Sequence, residues 1–148
     1  ETDFSAQRDR IFADAEQLRQ VFVNCLLNSA DAIQAKKKDS CKHEGRVLVT
    51  TALQCPVFYG QKRGVDIQLV VRVCDNGTGV IEESLPLVFD PFFTTKEPGK
   101  GTGLGLSVSR SLVETAGGTM ELTSQIGQGS CMLITLPLSS VNESELTV

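Results

Sequence analysis

Residues 99–106 read Gly99-Lys100-Gly101-Thr102-Gly103-Leu104-Gly105-Leu106, and they stand where a loop enters a helix. On the upstream side, residues 90–103 carry Pro91, Pro98 and three glycines, a composition that no regular element tolerates, so they are expected to form a mobile loop. On the downstream side, Leu104 to Ala116 reads as a helix with Leu104, Val108, Leu112 and Val113 on one face, stopped by Gly117-Gly118. Glycines at such a junction leave backbone N–H groups unobstructed, and a helix N-terminus adds orphan donors and a positive dipole end. Together these make a cradle for a polyphosphate. The alternative is a flexible turn with a glycine-rich cap. The spacing is not that of a Walker A loop. Nor do the glycines follow the first strand of a βαβ unit, as a dinucleotide fold requires.

Further out, the pattern excludes a strictly alternating α/β fold. Residues 1–10 are polar and read as a ragged entry, and Arg10 to Ala13 reads as a short edge strand. Asp14 is an N-cap, with Gln17 completing a capping box. A helix follows, with a stripe of Leu18, Val21, Phe22, Cys25, Leu26, Ser29 and Ile33, and the run Lys36-Lys37-Lys38-Asp39-Ser40 ends it and starts a solvated loop. Arg46–Gln54 and Val65–Cys74 are rich in β-branched residues and read as paired strands. Ser84–Val88 suits one helical turn, and Thr119–Ser124 with Ser130–Leu138 suits a closing hairpin. Adjacent strand pairs favour an α+β two-layer sandwich. Its mixed, mostly antiparallel sheet would have about five strands, covered on one face by about three helices. A single domain is expected over residues 1–148, with 1–8 and 139–148 frayed.

Composition narrows the function. The 148 residues are 41% hydrophobic and 22% charged, enough for one core, and the net charge of -4 argues against nucleic-acid binding. No long apolar run is present, so no direct membrane contact is expected of this segment. The five cysteines are odd in number and form no C-x-x-C pair, which reads as buried or free thiols in a reducing compartment.

Three other clusters carry chemistry. Asp75-Asn76-Gly77-Thr78-Gly79-Val80 ends a strand. A carboxylate there can accept from an exocyclic amine, with Gly77 and Gly79 allowing a flat ring to approach; the alternative is an ordinary Asp-Asn-Gly turn. Asn24 and Asn28 lie four apart on the first helix, with Asp31 bordering the same surface. An amide oxygen suits Mg2+, whereas the plainer reading is bonding to backbone or solvent. In Asp90-Pro91-Phe92-Phe93-Thr94-Thr95-Lys96, two aromatics would anchor the loop to the body and Lys96 would meet a terminal phosphate. A hydrophobic plug with a surface lysine is the other possibility.

In this order the four clusters resemble the motifs of GHKL ATP-binding domains (the Bergerat fold), specifically those of sensor histidine kinases. QVFVNCLLNSADAI is similar to their N box, DNGTGV to the first glycine box, DPFFTTK to the F box and GKGTGLGL to the second glycine box. The likeness covers roughly residues 8–138 and is strongest to the nitrogen-regulation type. It implies that ATP and Mg2+ are the cofactors. Asn28 would hold Mg2+, with Asn24 and Asp31 lining the phosphate side. Asp75 would accept from the adenine amine, above Gly77, Gly79 and Val80. Residues 90–103 would form a flexible ATP lid that includes Phe92, Thr94 and Thr95. Lys96, Lys100 and the backbone at Gly101, Thr102, Gly103 and Gly105 would hold the triphosphate, while Leu104 and Leu106 would pack. Asn28, Asn24 and Lys96 would carry catalysis.

Relatives in this superfamily that hydrolyse ATP resemble the chain in the N box but use a Glu one turn before the Mg2+-binding Asn, as general base on water. Asn24 stands there, and an amide takes no proton at neutral pH. The resemblance therefore implies a histidine kinase catalytic domain rather than an ATPase or a nucleotide sensor without transfer activity. The only histidine, His43, follows the N box in a polar stretch and reads as a solvated loop residue. The acceptor histidine would lie on an upstream dimerisation domain absent from this sequence. That domain would make the full kinase a homodimer that serves a response-regulator receiver domain. The isolated segment would be a cytoplasmic monomer, whether or not the parent is membrane-anchored.

Overall fold

The computed structural model describes residues 1–6, 11–39, 43–54, 67–96 and 101–138. Strands β1 (Thr2–Phe4), β2 (Val47–Gln54), β3 (Gln68–Asp75), β4 (Thr119–Gln125) and β5 (Gly129–Pro137) form one sheet in the order β1-β2-β3-β5-β4. Only β1 and β2 run parallel. Thr2–Phe4 of the polar entry are therefore an ordered edge strand rather than ragged, and residues 7–10 lie outside the described residues. The strand's side chains carry no apolar alternation; Val49 N donates to Glu1 O at 3.0 Å, and just beyond the strand Ser5 Oγ donates to Thr51 O at 2.7 Å. Of the edge strand expected at residues 10–13, the described residues 11–13 form a single bridge, Ile11 with Leu138, and Phe12 stands 92% exposed. Residues 65–66 of the expected third strand and the tail 139–148 lie outside the described residues.

Helix α1 spans Ala15–Asp39. Asp14 caps it as expected, its Oδ1 accepting from the N–H of Glu16 at 2.8 Å and of Gln17 at 3.1 Å. Its core stripe is Val21, Cys25 and Ser29, with Leu18 and Phe22 at the margin. Leu26, expected in that stripe, is 42% exposed because it sits one residue, about 100°, past Cys25. The helix ends at Asp39, within the expected run, and its last turn carries Lys36, Lys37 and Lys38, cations that favour the negative dipole end.

Helix α2 spans Gly105–Thr115. Ser109 and Val113 are buried, while Leu104 and Val108 remain 37% exposed. The expected stripe thus holds at Val113 and, at the margin, Leu112, while Ser109 takes the buried place expected of Val108, flanked by Leu106 and Ala116. A 3-10 turn over Glu82–Leu87 replaces the expected single turn at Ser84–Val88.

The sheet's inner face presents every second residue to the helices: Leu69, Val71 and Val73 of β3, and Met132, Ile134 and Leu136 of β5. The register sets Leu69 against Leu136, Val71 against Ile134 and Val73 against Met132. Val21, Cys25 and Val113 close this core from the helical side. Ile134 is fully buried, so Ile134→Ala is expected to cost about 2–5 kcal/mol in chemical denaturation. A loss below 1 kcal/mol would contradict its central place.

The same register sets Cys74 opposite Cys131, and the structure joins them as a disulfide. For these two residues this corrects the reading of buried or free thiols. The two residues are 57 apart in sequence, so no spacing motif announces the pair. Cys25 is free and buried, and burial pushes its thiol up to about 11. Cys41 and Cys55 lie outside the described residues.

Candidate nucleotide-binding site

Helix α1 carries two adjacent stripes toward one end of the sheet. The first continues the core line Val21–Cys25 through Ser29 and Ala32 to Lys36, at helical spacing. The second is Asn24, Asn28 and Asp31. The two stripes meet different partners.

The first stripe floors the loop after β3. Ala32 O accepts from Thr78 N at 3.3 Å, and Lys36 Nζ donates to Asn76 O and to Gly127 O, each at 2.8 Å. Asn76 points away, its Oδ1 accepting from Arg46 N at 2.8 Å and its Nδ2 donating to Glu44 O at 2.9 Å. Gly77 has no room for a side chain, since a Cβ would lie 2.7 Å from Ala32. Gly79 (φ 70°) lies against the β4–β5 turn, where a Cβ would come within 2.2 Å of Gln125 O. Gly79→Ala is therefore expected to destabilise the fold by about 2 kcal/mol or more, from left-handed strain plus displacement of that turn. Unchanged thermal unfolding would contradict the close approach. Val80 N donates to Ser124 Oγ at 2.8 Å, which completes the loop's attachment to β4.

Asp75 lies half-buried at the end of β3, and its Oδ1 accepts from Gly77 N at 2.8 Å. Desolvation raises its carboxyl above the usual range. The N–H of Gly77, the Ser29 hydroxyl, the backbone of Ser130 and the charge of Lys36 pull the other way.

The second stripe faces the glycine-rich junction. Asn24 Nδ2 donates to Gly105 O at 3.2 Å and to Ser109 Oγ at 3.0 Å. A backbone carbonyl only accepts, so this contact fixes which end of the amide is nitrogen and leaves Oδ1 as the acceptor. Lys96 Nζ reaches Asn28 Oδ1 at 3.3 Å and Asp31 Oδ2 at 2.5 Å, bringing three of the expected residues together.

The ends of the loop over residues 90–103 also touch. Phe92 N donates to Gly103 O at 2.9 Å, and both residues have positive φ, 68° and 66°. A Cβ at Gly101 would lie 2.7 Å from Thr94 Oγ1 and 3.2 Å from Lys96 Cδ. Thr94 Oγ1 accepts from Lys96 N at 3.2 Å, Thr102 Oγ1 accepts from Leu104 N at 3.3 Å, and Thr95 is exposed. Phe92 is 75% exposed, so it does not anchor the loop; Phe89 packs on the core instead, with the Arg110 guanidinium 5.1 Å above its ring. Leu106 packs as expected, whereas Leu104 is part-exposed. In α2 the first i→i−4 bond runs from Val108 N to Leu104 O, so the preceding N–H groups lack an intrahelical partner. Lys100 lies outside the described residues.

The arrangement suits a magnesium nucleotide. A cationic nitrogen already rests on the oxygens of Asn28 and Asp31, and hard oxygen donors are what Mg2+ prefers. Sequence reading missed Ser29, Lys36 and Ser109. Ser109 is 0% exposed inside a helix, and Lys36 stands within a run of three lysines, so neither advertises itself. His43 is half-buried rather than solvated, and its Nε2 has no partner among the described residues.

Residues 13–140 match the family model described as "Histidine kinase-, DNA gyrase B-, and HSP90-like ATPase". The two-component sensor PprA of Pseudomonas aeruginosa is 36% identical over 138 residues, 93% of this chain and 14% of that protein. The sensory histidine kinase/phosphatase NtrB of Rhizobium meliloti is 37% identical over 118 residues, 78% of this chain and 29% of that protein. The chain thus spans less than a third of the length of either relative. The catalytic domain of histidine kinase ThkA superposes with a TM-score of 0.60 at 28% identity, covering 92% of this chain and 78% of that one. Among the described residues no helix is long and apolar enough to cross a membrane. The chain belongs to the histidine kinase-, DNA gyrase B- and HSP90-like ATPase family, as a catalytic domain of the histidine kinase type.

Proposed function

We propose that this domain binds Mg-ATP and passes the γ-phosphate to a histidine on a separate dimerisation domain in two-component signalling. The carrying observation is Asn24. It stands where a hydrolase of this superfamily would place a Glu base, and its amide gives hydrogen bonds to Gly105 O and Ser109 Oγ. With no base there to activate water, the nucleophile must arrive with its own proton acceptor.

The residues then divide the work. Asp75 accepts from the adenine amine, with Gly77 and Gly79 beneath the ring and Val80 at its edge. Asn28 Oδ1 would hold the Mg2+, and Asp31 and Asn24 would line the phosphate side. Mg2+, when bound there, would supply charge neutralisation for the phosphate oxygens. Lys96 leaves Asn28 and Asp31 when the nucleotide arrives, and its ammonium then meets the phosphates. The N–H groups around Gly101, Gly103 and Gly105 take the remaining phosphate charge, with Thr94, Thr95, Lys100 and Thr102 beside them. Positioning and charge neutralisation do most of the catalysis.

Residues 1–148 then form one catalytic domain, a cytoplasmic monomer when isolated. In the full kinase it works on acceptor helices of a homodimer, which pass the phosphate to a receiver domain. Calorimetric titration tests the binding half. ATP is expected to bind in the presence of Mg2+ and far more weakly with EDTA; no binding in either condition would overturn the proposal.

A further inference from the structure

We propose that Lys36 is a positioning residue for the nucleobase, an ammonium that fixes the loop bearing Asp75 from beneath. The inference rests on the nucleotide reading above and extends it to a residue outside the four motifs. Lys37 and Lys38 are exposed, as a helix-terminal charge run should be, but Lys36 is half-buried. It stands seven residues after Ser29 and four after Ala32, so it closes the same stripe of α1.

Its two bonds join segments far apart in sequence. Asn76, whose carbonyl takes the first, directly follows Asp75. Gly127, whose carbonyl takes the second, sits in the β4–β5 turn. That turn already touches the loop twice more: Gly127 N donates to Thr78 O at 2.6 Å, and Gln125 O abuts Gly79. Lys36 therefore pins both the loop after Asp75 and the turn packed against it to the helix floor. A charged donor between two carbonyls makes stronger bonds than a neutral one. Removing it leaves both carbonyls short of a donor and lets the loop slip, taking the Asp75 carboxylate with it. The phosphate side is built by the other stripe, Asn24, Asn28 and Asp31, and does not depend on Lys36.

That separation gives the test. Lys36→Met, Lys36→Gln and Lys36→Arg would be titrated with Mg-ATP and, separately, with Mg-tripolyphosphate, which lacks the base. Lys36→Met is expected to bind ATP about tenfold more weakly. Tripolyphosphate affinity should stay within about twofold, and Lys36→Arg, which keeps charge and several donors, should recover most of the ATP affinity. If Lys36→Met does not fold, Lys36→Gln is read against the same expectations. Parental ATP affinity in a folded Met or Gln variant would overturn the assignment, as would equal losses for ATP and tripolyphosphate or failure of Arg to rescue. Failure of the unchanged chain to bind ATP would instead sink the nucleotide reading itself.

Discussion

Asn28→Ala is expected to lower phosphoryl transfer by about 10²–10³-fold while leaving the fold almost untouched. The loss follows from removing one fixed oxygen from the site where charge develops, worth about 3–4 kcal/mol in such settings. The fold should survive because Asn28 is half-exposed and its bond is to Lys96 Nζ, at 3.3 Å on the surface. Surface substitutions of this kind change stability by roughly 0.5 kcal/mol or less. Transfer rate and thermal unfolding, measured together, check both halves. A parental rate in the variant would remove Asn28 from the phosphate site.

Asp75→Asn is expected to weaken ATP binding by about a hundredfold without weakening the fold. An Asn keeps an oxygen for the Gly77 N–H, so the loop retains that bond. The ligand loses a charged acceptor and can meet an NH2 donor instead, a loss of about 1.5–3 kcal/mol. Stability moves the other way. Burial raises the Asp75 carboxyl above its ordinary 3.8, so the folded state disfavours the ionised form. The folded chain then holds its proton to higher pH than the unfolded chain does. The resulting cost is fully present above the folded-state value and vanishes as the pH falls below 3.8. The Asn variant should therefore be as stable as the parent or slightly more so at pH 7, the difference disappearing in acid. Denaturation curves at pH 7 and pH 3.5, with ATP titrations at pH 7, check this. Clear destabilisation at pH 7 would mean that Asp75 serves the fold rather than a ligand.

The legible parts of this protein were those with local signals. Asp14 announced α1, β-branched runs announced β2 and β3, and the paired stretches Thr119–Ser124 and Ser130–Leu138 announced the last hairpin. The motif residues did converge: Asn28, Asp31 and Lys96 touch, and Asn24 touches Gly105. The illegible parts depended on partners distant in sequence. Thr2–Phe4 is a strand only because β2 offers an edge, and backbone pairing leaves no mark on side-chain pattern. The stripe of α2 was partly misjudged because buried Ser109 is polar and part-exposed Leu104 and Val108 are not. Cys74 and Cys131 become neighbours only through strand register. Lys36 looked like a solvated charge because its two acceptors are main-chain carbonyls 40 and 91 residues away.

Transfer to a supplied acceptor is the most direct measurement of the proposed chemistry. The domain would be incubated with Mg2+ and γ-labelled ATP, alone and with the histidine-bearing dimerisation domain of its full-length parent. Acid-labile phosphate is expected on the added domain, with none on this chain and no multiple-turnover hydrolysis without the acceptor. Labelling of His43 in the isolated chain, or steady ATP turnover without an acceptor, would contradict a domain that holds the nucleotide for a nucleophile brought by another.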